Sequence, residues 1–266
     1  MEHIQDAAGG ATLDVAGGVA TIRFNRVQAR NAMLRQTWLT LADLIASADS
    51  DGQVAVIVLR GAGGHFGAGN DIAEFGNLRH DSEGARQFGW AMANAMQAVE
   101  TASKPVIAAI EGSCFGASVA LALAADIRIA ADTARFAITP AKLGALYLRS
   151  DHHRLAAAIG QGRARKMIYT AAAIDALRAE AIGLIDECVP AHRFDAYLAE
   201  MTASILGGSA YTLRHTKRML REAGHGDAPV ETDETIGGFV DAMMGKDFAE
   251  GVSAFLAKRR PQFGQA

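Results

Sequence analysis

Residues 106–125 read VIAAIEGSCFGASVALALAA, a buried strand, a glycine turn and a helix in immediate succession. The strand segment, Val106–Ile110, is wholly apolar and partly β-branched, which is typical of a strand covered on both faces. Glycine-rich residues 111–116 supply the turn, and small residues continue as a helix over Ala117–Ala125. Another strand, Ile127–Ala131, follows directly. This alternation predicts an α/β layered fold with mostly parallel strands.

The same kind of pattern extends along the chain in both directions. Upstream, the spacing predicts a hairpin of Thr12–Val15 with Val19–Phe24, followed by a helix over Met33–Ala48. A buried strand, Val54–Leu59, and a second helix, Ser82–Thr101, come next. Beyond Gly160 nearly every segment has helical spacing, and only residues 183–189 resemble a strand. We therefore predict an α/β core over residues 1–200 and a helical region over residues 201–266.

Composition narrows the class of protein. Half of the 266 residues are apolar, so the chain can bury a large core. The net charge of −3 argues against a nucleic-acid partner. Cys114 and Cys188 have no metal-ligand or disulfide spacing, which predicts reduced thiols and no metal site.

The longest apolar run, Ala117–Ala125, is far shorter than the ~18 residues of a membrane span, and residues 1–6 lack a secretory pattern. We expect a cytoplasmic protein without a membrane partner.

Strand, glycine turn and helix occur together twice. GAGGHFGAGND at residues 61–71 follows one predicted strand, and EGSCFGAS at residues 111–118 follows another. Such turns free backbone N–H groups beside the positive end of a helix. Two of them meeting across a parallel sheet could form an oxyanion hole. Each turn taken alone is explained more simply by tight packing without chemistry. Neither loop has the phosphate-binding or dinucleotide-binding glycine pattern.

Seven segments carry a family resemblance when they are taken in order. They are FNRVQARNAM (24–33), HFGAGNDI (65–72), KPVIAAIEG (104–112), GAS (116–118), ADIRIA (125–130), FAITPAKLG (136–144) and AIGLID (181–186). Together they resemble the crotonase (enoyl-CoA hydratase/isomerase) superfamily over residues 12 to about 190, and the tail FLAKRRPQF (255–263) resembles the family's ending. The resemblance implies a superhelix of β-β-α turns with two roughly perpendicular sheets. It also implies a C-terminal helical region that mediates trimerisation, in a homotrimer or a dimer of trimers.

The resemblance further implies an acyl-CoA thioester as the substrate, so that coenzyme A belongs to the substrate and no separate cofactor is needed. The N–H groups of Asn70 and Ala117 match the family's two oxyanion donors. The segments that match the family's substrate-binding parts give these candidate contacts: Ala29, Arg30, Ala32, Ala68, Gly69, Asp71, Ile72, Gly116, Pro140, Leu143, Phe255 and Lys258. Among them, Phe255 and Lys258 are candidates for closing on the adenine.

Two catalytic positions of the family's hydratases are changed. Those enzymes place glutamates at positions that match Ala120 and Pro140. Hydration needs a base for the water and an acid for the α-carbon, and neither alanine nor proline can serve. The usual isomerase base also matches Pro140. We therefore expect neither ordinary hydration nor ordinary isomerisation.

The run Thr139–Tyr147 resembles methylmalonyl-CoA decarboxylases, which carry a tyrosine at the position of Tyr147. Decarboxylation needs no enzyme carboxylate, and such a group would repel an anionic substrate. The likeness is incomplete, because those enzymes have histidine where this chain has Asn70.

Four side chains are candidates for replacing the missing acid–base groups: Tyr147, Asp151, His152 and Glu111. Each also has a structural interpretation, respectively a packed aromatic, a helix cap, the start of a helix and the end of a strand. Three functions stay open. The first is an enolate-stabilising enzyme without glutamates, most sharply a malonyl-type decarboxylase. The others are a hydratase- or isomerase-like enzyme using one of these four residues, and a catalytically silent acyl-CoA-binding homologue.

Overall fold

The structure is a computed structural model that describes residues 3–7, 10–223 and 233–263. Its strands are β1 (His3–Ala7), β2 (Ala11–Ala16), β3 (Val19–Phe24), β4 (Val56–Gly61), β5 (Val106–Ile110), β6 (Ser113–Phe115), β7 (Ile127–Ala131), β8 (Arg135–Ala137), β9 (Ile174–Asp175) and β10 (Glu187–Val189). Its helices are α1 (Arg35–Ser50), α2 (Ile72–Asn77), α3 (Ser82–Thr101), α4 (Ala117–Ala124), α5 (Pro140–Leu143), α6 (Arg149–Ile159), α7 (Gln161–Thr170), α8 (Ala176–Ala181), α9 (Phe194–Leu206), α10 (Ala210–Ala223), α11 (Asp233–Met244) and α12 (Lys246–Leu256).

The strands form two sheets. A seven-stranded sheet has the order β1-β2-β3-β4-β5-β7-β10, and a three-stranded sheet has the order β6-β8-β9. Pairing is antiparallel within β1-β2-β3 and parallel from β3 to β10. The predicted α/β class, hairpin and parallel strands are confirmed, whereas β1 was not predicted. Strand β4 starts two residues later than expected, because the Val54 N–H closes a turn on Asp51 O at 3.0 Å.

Helices cover both faces of the parallel strands. On one face, α1 and α3 bury Trp38, Leu41 and Met96 in the main core. On the other face, Phe194 of α9 packs with Val58 and neighbouring strand residues in a second cluster. Burial on both sides explains why these strands are apolar without alternation. The domain boundary expected at residue 200 falls inside α9, which belongs to this packing.

An ion pair attaches α10, the first of the last three helices, to the α/β core. Lys217 of α10 lies 2.8 Å from Asp126 and donates a hydrogen bond to Lys104 O at 2.9 Å. Helices α11 and α12 carry exposed large apolar side chains: Ile236, Phe239, Val240, Met243, Met244, Phe248, Val252 and Leu256. Exposed apolar side chains grouped on two helices are typical of a protein–protein interface. The expected trimerisation region stays a prediction. Within the described ranges, no helix is both long and apolar enough to cross a membrane.

Candidate active site

The two glycine loops run side by side. An isolated parallel bridge pairs Gly67 of the first loop with Cys114 of the second, through backbone hydrogen bonds of 2.8 and 2.9 Å. Asn70 lies three residues after Gly67 in the first loop, and Ala117 lies three residues after Cys114 in the second. The fold therefore brings the two predicted oxyanion donors to matching places on adjacent segments.

Glycine allows the loops to touch. Gly69 has φ +92°, and a Cβ there would lie 2.9 Å from Phe115 O and 3.3 Å from Ala117 N. Gly116 has φ +51°, and a Cβ there would lie 3.4 Å from Thr139 Oγ1. Both backbones are in a region that L side chains rarely adopt. The close approach beside the Ala117 amide thus depends on the absence of a side chain at position 69.

Both donor residues line one cavity of about 440 Å³. Within the part of the chain that the structure describes, the N–H groups of Asn70 and Ala117 have no protein acceptor. Ala117 is the first residue of α4, and its N-cap, Gly116, contributes no side-chain cap. Helices begin with unsatisfied N–H groups at the positive end of their dipole. An anionic oxygen in this cavity would be a suitable partner for both amides.

The side chain of Asn70 fixes its loop. Its Oδ1 accepts a hydrogen bond of 2.9 Å from Trp38 Nε1, and its Nδ2 lies 3.3 Å from Met92 Sδ. Trp38 is fully buried, and the neighbouring Gly69 N–H donates to Ser118 Oγ at 3.0 Å. Since the amide side chain is occupied by these contacts, the backbone N–H is the group of Asn70 that remains for a ligand.

The cavity has almost no ionisable groups. Its lining consists of Ala68, Gly69, Asn70, Ile72, Phe75, Leu78, Ala85, Phe88, Gly89, Met92, Gly116, Ala117, Thr139, Pro140, Leu143, Ala145, Leu146, Tyr147 and Leu148. Tyr147 is the sole titratable residue in this set, and no aspartate or glutamate occurs in it. Pro140 lines the cavity, whereas Ala120 is fully buried in the core. The described lining therefore offers no carboxylate for acid–base chemistry.

Tyr147 is held by a backbone carbonyl. Its side chain is buried, and its hydroxyl donates a hydrogen bond to Gly116 O. Burial raises the pKa of Tyr147 well above its ordinary value, and the nearby Asp151 and Cys114 add to the shift. The phenol is therefore protonated over the physiological pH range, which disfavours a role as general base.

Asp151 caps its own helix, as the sequence predicted. Its Oδ2 accepts from Leu148 N at 3.2 Å, and its Oδ1 lies 3.1 Å from Arg154 Nη1. Arg154 is also paired with Glu100 at 2.6 Å. Burial raises the pKa of the Asp151 carboxyl, although Arg154 opposes that shift. Asp151 does not line the cavity, so its contacts favour a structural role and its catalytic role stays a prediction.

The two remaining acid–base candidates also lie outside the cavity lining. Glu111 is ion-paired with Arg60 at 2.7 Å. His152 is exposed, its ring stands edge-on to Tyr147 at 5.9 Å between centroids, and its Nδ1 is 2.9 Å from Leu148 O. These contacts account for both side chains without catalysis.

The predicted substrate-binding residues divide into two groups. Six of them line the cavity: Ala68, Gly69, Ile72, Gly116, Pro140 and Leu143. Five others lie outside its lining, and they are Ala29, Arg30, Ala32, Asp71 and Lys258. The side chain of Phe255 is outside the described residues. Asp71 caps α2 and pairs with Arg26 at 3.0 Å, while Lys258 is exposed just beyond α12.

Sequence reasoning missed several lining residues as parts of the site. Helical spacing places Phe88 and Met92 only on the inward face of a helix, and Thr139 is recognisable only as part of a matching segment. Helical spacing shows that a residue faces inward, but it does not distinguish a solid core from a cavity. Across the described residues, no cluster of His, Cys, Asp or Glu suitable for a metal ion is present.

Replacing Gly69 by alanine tests the contact between the loops. We expect Gly69→Ala to lower the free energy of unfolding by roughly 2 kcal/mol, because the new Cβ is both strained at positive φ and crowded by Phe115 O. Gly64→Ala is the matched control, since Gly64 has φ +72° but a Cβ there meets nothing within 4 Å. Chemical denaturation of both variants gives the comparison. Equal losses would show that crowding between the loops contributes nothing.

A family profile, curated relatives and solved structures all relate this chain to enoyl-CoA hydratase/isomerase proteins. The sequence profile of the family described as "Enoyl-CoA hydratase/isomerase" matches residues 14–266. The crotonyl-CoA hydratase of Syntrophomonas wolfei is 31% identical over 246 residues, covering 92% of this chain and 94% of the relative. The methylmalonyl-CoA decarboxylase of Escherichia coli is 29% identical over 252 residues, with 92% and 94% coverage. A solved structure, an enoyl-CoA hydratase/isomerase family protein from Hyphomonas neptunium, superimposes with a TM-score of 0.93 at 36% identity, covering 98% of this chain and 100% of that one.

Proposed function

This chain belongs to the enoyl-CoA hydratase/isomerase family, and we propose that it binds an acyl-CoA thioester in the 440 Å³ cavity. In this proposal the backbone N–H groups of Asn70 and Ala117 hold the thioester oxygen when it becomes an enolate-type oxyanion. Support comes from the adjacent loops, from the lack of protein acceptors for these amides among the described residues, and from their shared cavity. Oxyanion donors of this kind contribute roughly 3–4 kcal/mol each.

The reaction that fits best is decarboxylation of a 2-carboxyacyl-CoA. The bond between the α-carbon and the carboxylate breaks, CO₂ leaves, and the electron pair moves into the thioester to form the enolate. A proton from solvent then converts the enolate to the saturated acyl-CoA. The observation that carries this proposal is the lining of the cavity, whose described residues include no aspartate, glutamate or histidine. Hydration would require an acid and a base that these residues do not supply.

Hydration is the second candidate, because the relatives include proteins named as hydratases. It would need Tyr147, Asp151, His152 or Glu111 to act as acid or base. Tyr147 is buried and hydrogen-bonded to Gly116 O, and the other three do not line the cavity. A silent acyl-CoA-binding homologue is the outcome if no reaction is found.

We further propose that the protein works as a homotrimer or a dimer of trimers in the cytoplasm, in the metabolism of acyl-CoA esters. The exposed apolar side chains of α11 and α12 support an interface there. Coenzyme A enters as part of the substrate, so the proposed reaction needs no other cofactor.

Assays with methylmalonyl-CoA and crotonyl-CoA test the function. We expect release of CO₂ from methylmalonyl-CoA with a kcat/KM at least about 100-fold above that for hydration of crotonyl-CoA, because the lining has no base for water. The kcat for CO₂ release should be nearly flat over about pH 6 to 9, since the raised pKa of Tyr147 keeps its hydroxyl protonated there. Faster hydration would reject the decarboxylase. Tight binding of CoA esters without turnover of either substrate would indicate the silent binder.

A further inference from the structure

One buried side chain donates a hydrogen bond close to each proposed oxyanion donor, but one bond is accepted by a side chain and the other by the backbone. Trp38 Nε1 donates to the side-chain oxygen of Asn70. The Tyr147 hydroxyl donates instead to Gly116 O, and that carbonyl belongs to the same peptide group as the N–H of Ala117. The Tyr147 contact is thus linked through a single conjugated peptide unit to the second donor.

A hydrogen bond at one end of a peptide group affects the other end. Peptide resonance couples the C=O to the N–H, so a donor at the oxygen makes the N–H more positive. Such cooperative strengthening is about 10–30% per bond, and it matters most where the local dielectric is low. Tyr147 and Gly116 are both buried. Gly116 adopts φ 51° and ψ −126°, and glycine has more backbone freedom than any other residue. A hydrogen bond from another residue therefore helps to fix the plane of the Gly116–Ala117 peptide.

We propose that Tyr147 is a positioning residue that fixes and polarises the Gly116–Ala117 peptide, so that its N–H binds the thioester oxyanion more strongly. This inference rests on the proposed oxyanion hole. It assigns Tyr147 a role different from proton transfer or from orienting a substrate carboxylate. A phenol has one hydrogen to donate, and here Gly116 O receives it.

The surroundings of Tyr147 support this role. Burial keeps the hydroxyl protonated, as its raised pKa indicates. The His152 ring stands edge-on to the tyrosine ring, and the tyrosine side chain is itself buried. The hydroxyl is therefore presented to Gly116 O by a side chain with little freedom to move.

The test removes the hydroxyl and keeps the ring. Tyr147→Phe should lower kcat about tenfold, change KM less than about twofold and leave the shape of the pH profile unchanged. Tyr211→Phe is the matched control, because the Tyr211 hydroxyl also donates to a glycine carbonyl, Gly238 O at 3.2 Å, and Tyr211 does not line the cavity. Replacement of Tyr147 by 3-fluorotyrosine, a stronger donor on a similar ring, should preserve or raise kcat.

Infrared spectroscopy separates this inference from the function on which it rests. Butyryl-CoA labelled with ¹³C at the thioester carbonyl is saturated and carries no carboxylate, so it binds without reacting. Its carbonyl band should shift to lower frequency on binding to the native protein, and the shift should be smaller with Tyr147→Phe. Equal shifts in both proteins, or an unchanged kcat, would overturn the role of Tyr147 alone. No shift in the native protein would overturn the oxyanion hole itself. A pH-dependent limb in the native profile that disappears in Tyr147→Phe would indicate proton transfer instead.

Discussion

Ala117→Pro is expected to lower kcat/KM about 10²–10³-fold while the protein remains folded. Proline has no N–H group, so the substitution removes one proposed oxyanion donor and places a ring carbon where the hydrogen was. Position 117 is the first residue of α4, and proline is well accepted at this position of a helix because its N–H would have no helical partner. Steady-state kinetics on the substrate identified by the assays measures the loss, and circular dichroism checks the fold.

Ala117→Gly is the control for this experiment. Glycine retains the N–H and removes only a methyl group, so kcat/KM should stay within a few-fold of the native value. If the proline variant were as active as the glycine variant, the Ala117 amide would not bind the reacting oxygen. The proposed chemistry would then have lost one of its two donors.

Asp151→Ala is expected to lower the free energy of unfolding by about 2 kcal/mol. The substitution leaves the Leu148 N–H without its cap and removes one of the two carboxylates beside Arg154, whose side chain is 10% exposed. Because Asp151 does not line the cavity, kcat per folded molecule should change little. Denaturant unfolding and kinetics on the same preparation give both values.

Two controls accompany Asp151→Ala, one at the same position and one at an exposed ion pair elsewhere. Asp151→Asn keeps an acceptor for Leu148 N and removes the charge. The folded-state pKa of Asp151 is raised, so its ionisation opposes folding as pH rises through that pKa, and the asparagine variant should be about as stable as the native protein at neutral pH. Glu200→Ala breaks an exposed pair with Arg193 at 3.3 Å and should cost at most about 1 kcal/mol. A large loss of kcat in Asp151→Asn with the fold intact would restore Asp151 as a catalytic candidate.

Family membership and reaction are decided by different parts of this molecule. The adjacent glycine loops are backbone features, and in the proposed function they bind the thioester oxygen whatever the nearby side chains are. The choice among hydration, isomerisation and decarboxylation depends on acid–base groups around the acyl chain. Here those groups are absent from the described lining, which is why likeness to proteins named as hydratases does not by itself carry hydration to this chain.

The sequence alone determined the features that depend on neighbouring residues. Apolar runs such as Val106–Ile110 gave strands, helical spacing gave α3 with the bounds Ser82–Thr101 that the structure has, and Asp151 was identified as a helix cap. Alanine at position 120 and proline at position 140 predict that two carboxylates of the family's hydratases are missing. These properties follow from the local geometry of the chain, because side-chain periodicity and capping act over a few residues.

Only the tertiary structure decided which candidates share a cavity and what their polar atoms contact. The Tyr147 hydroxyl reaches Gly116 O across 31 positions of sequence, and Trp38 reaches Asn70 across 32. Asp151, only four residues after Tyr147, has its carboxylate turned to Leu148 and Arg154 instead. Such long-range contacts arise when separate helices and loops pack against one another. A pattern within a single segment carries no information about the partner that packing will bring to it.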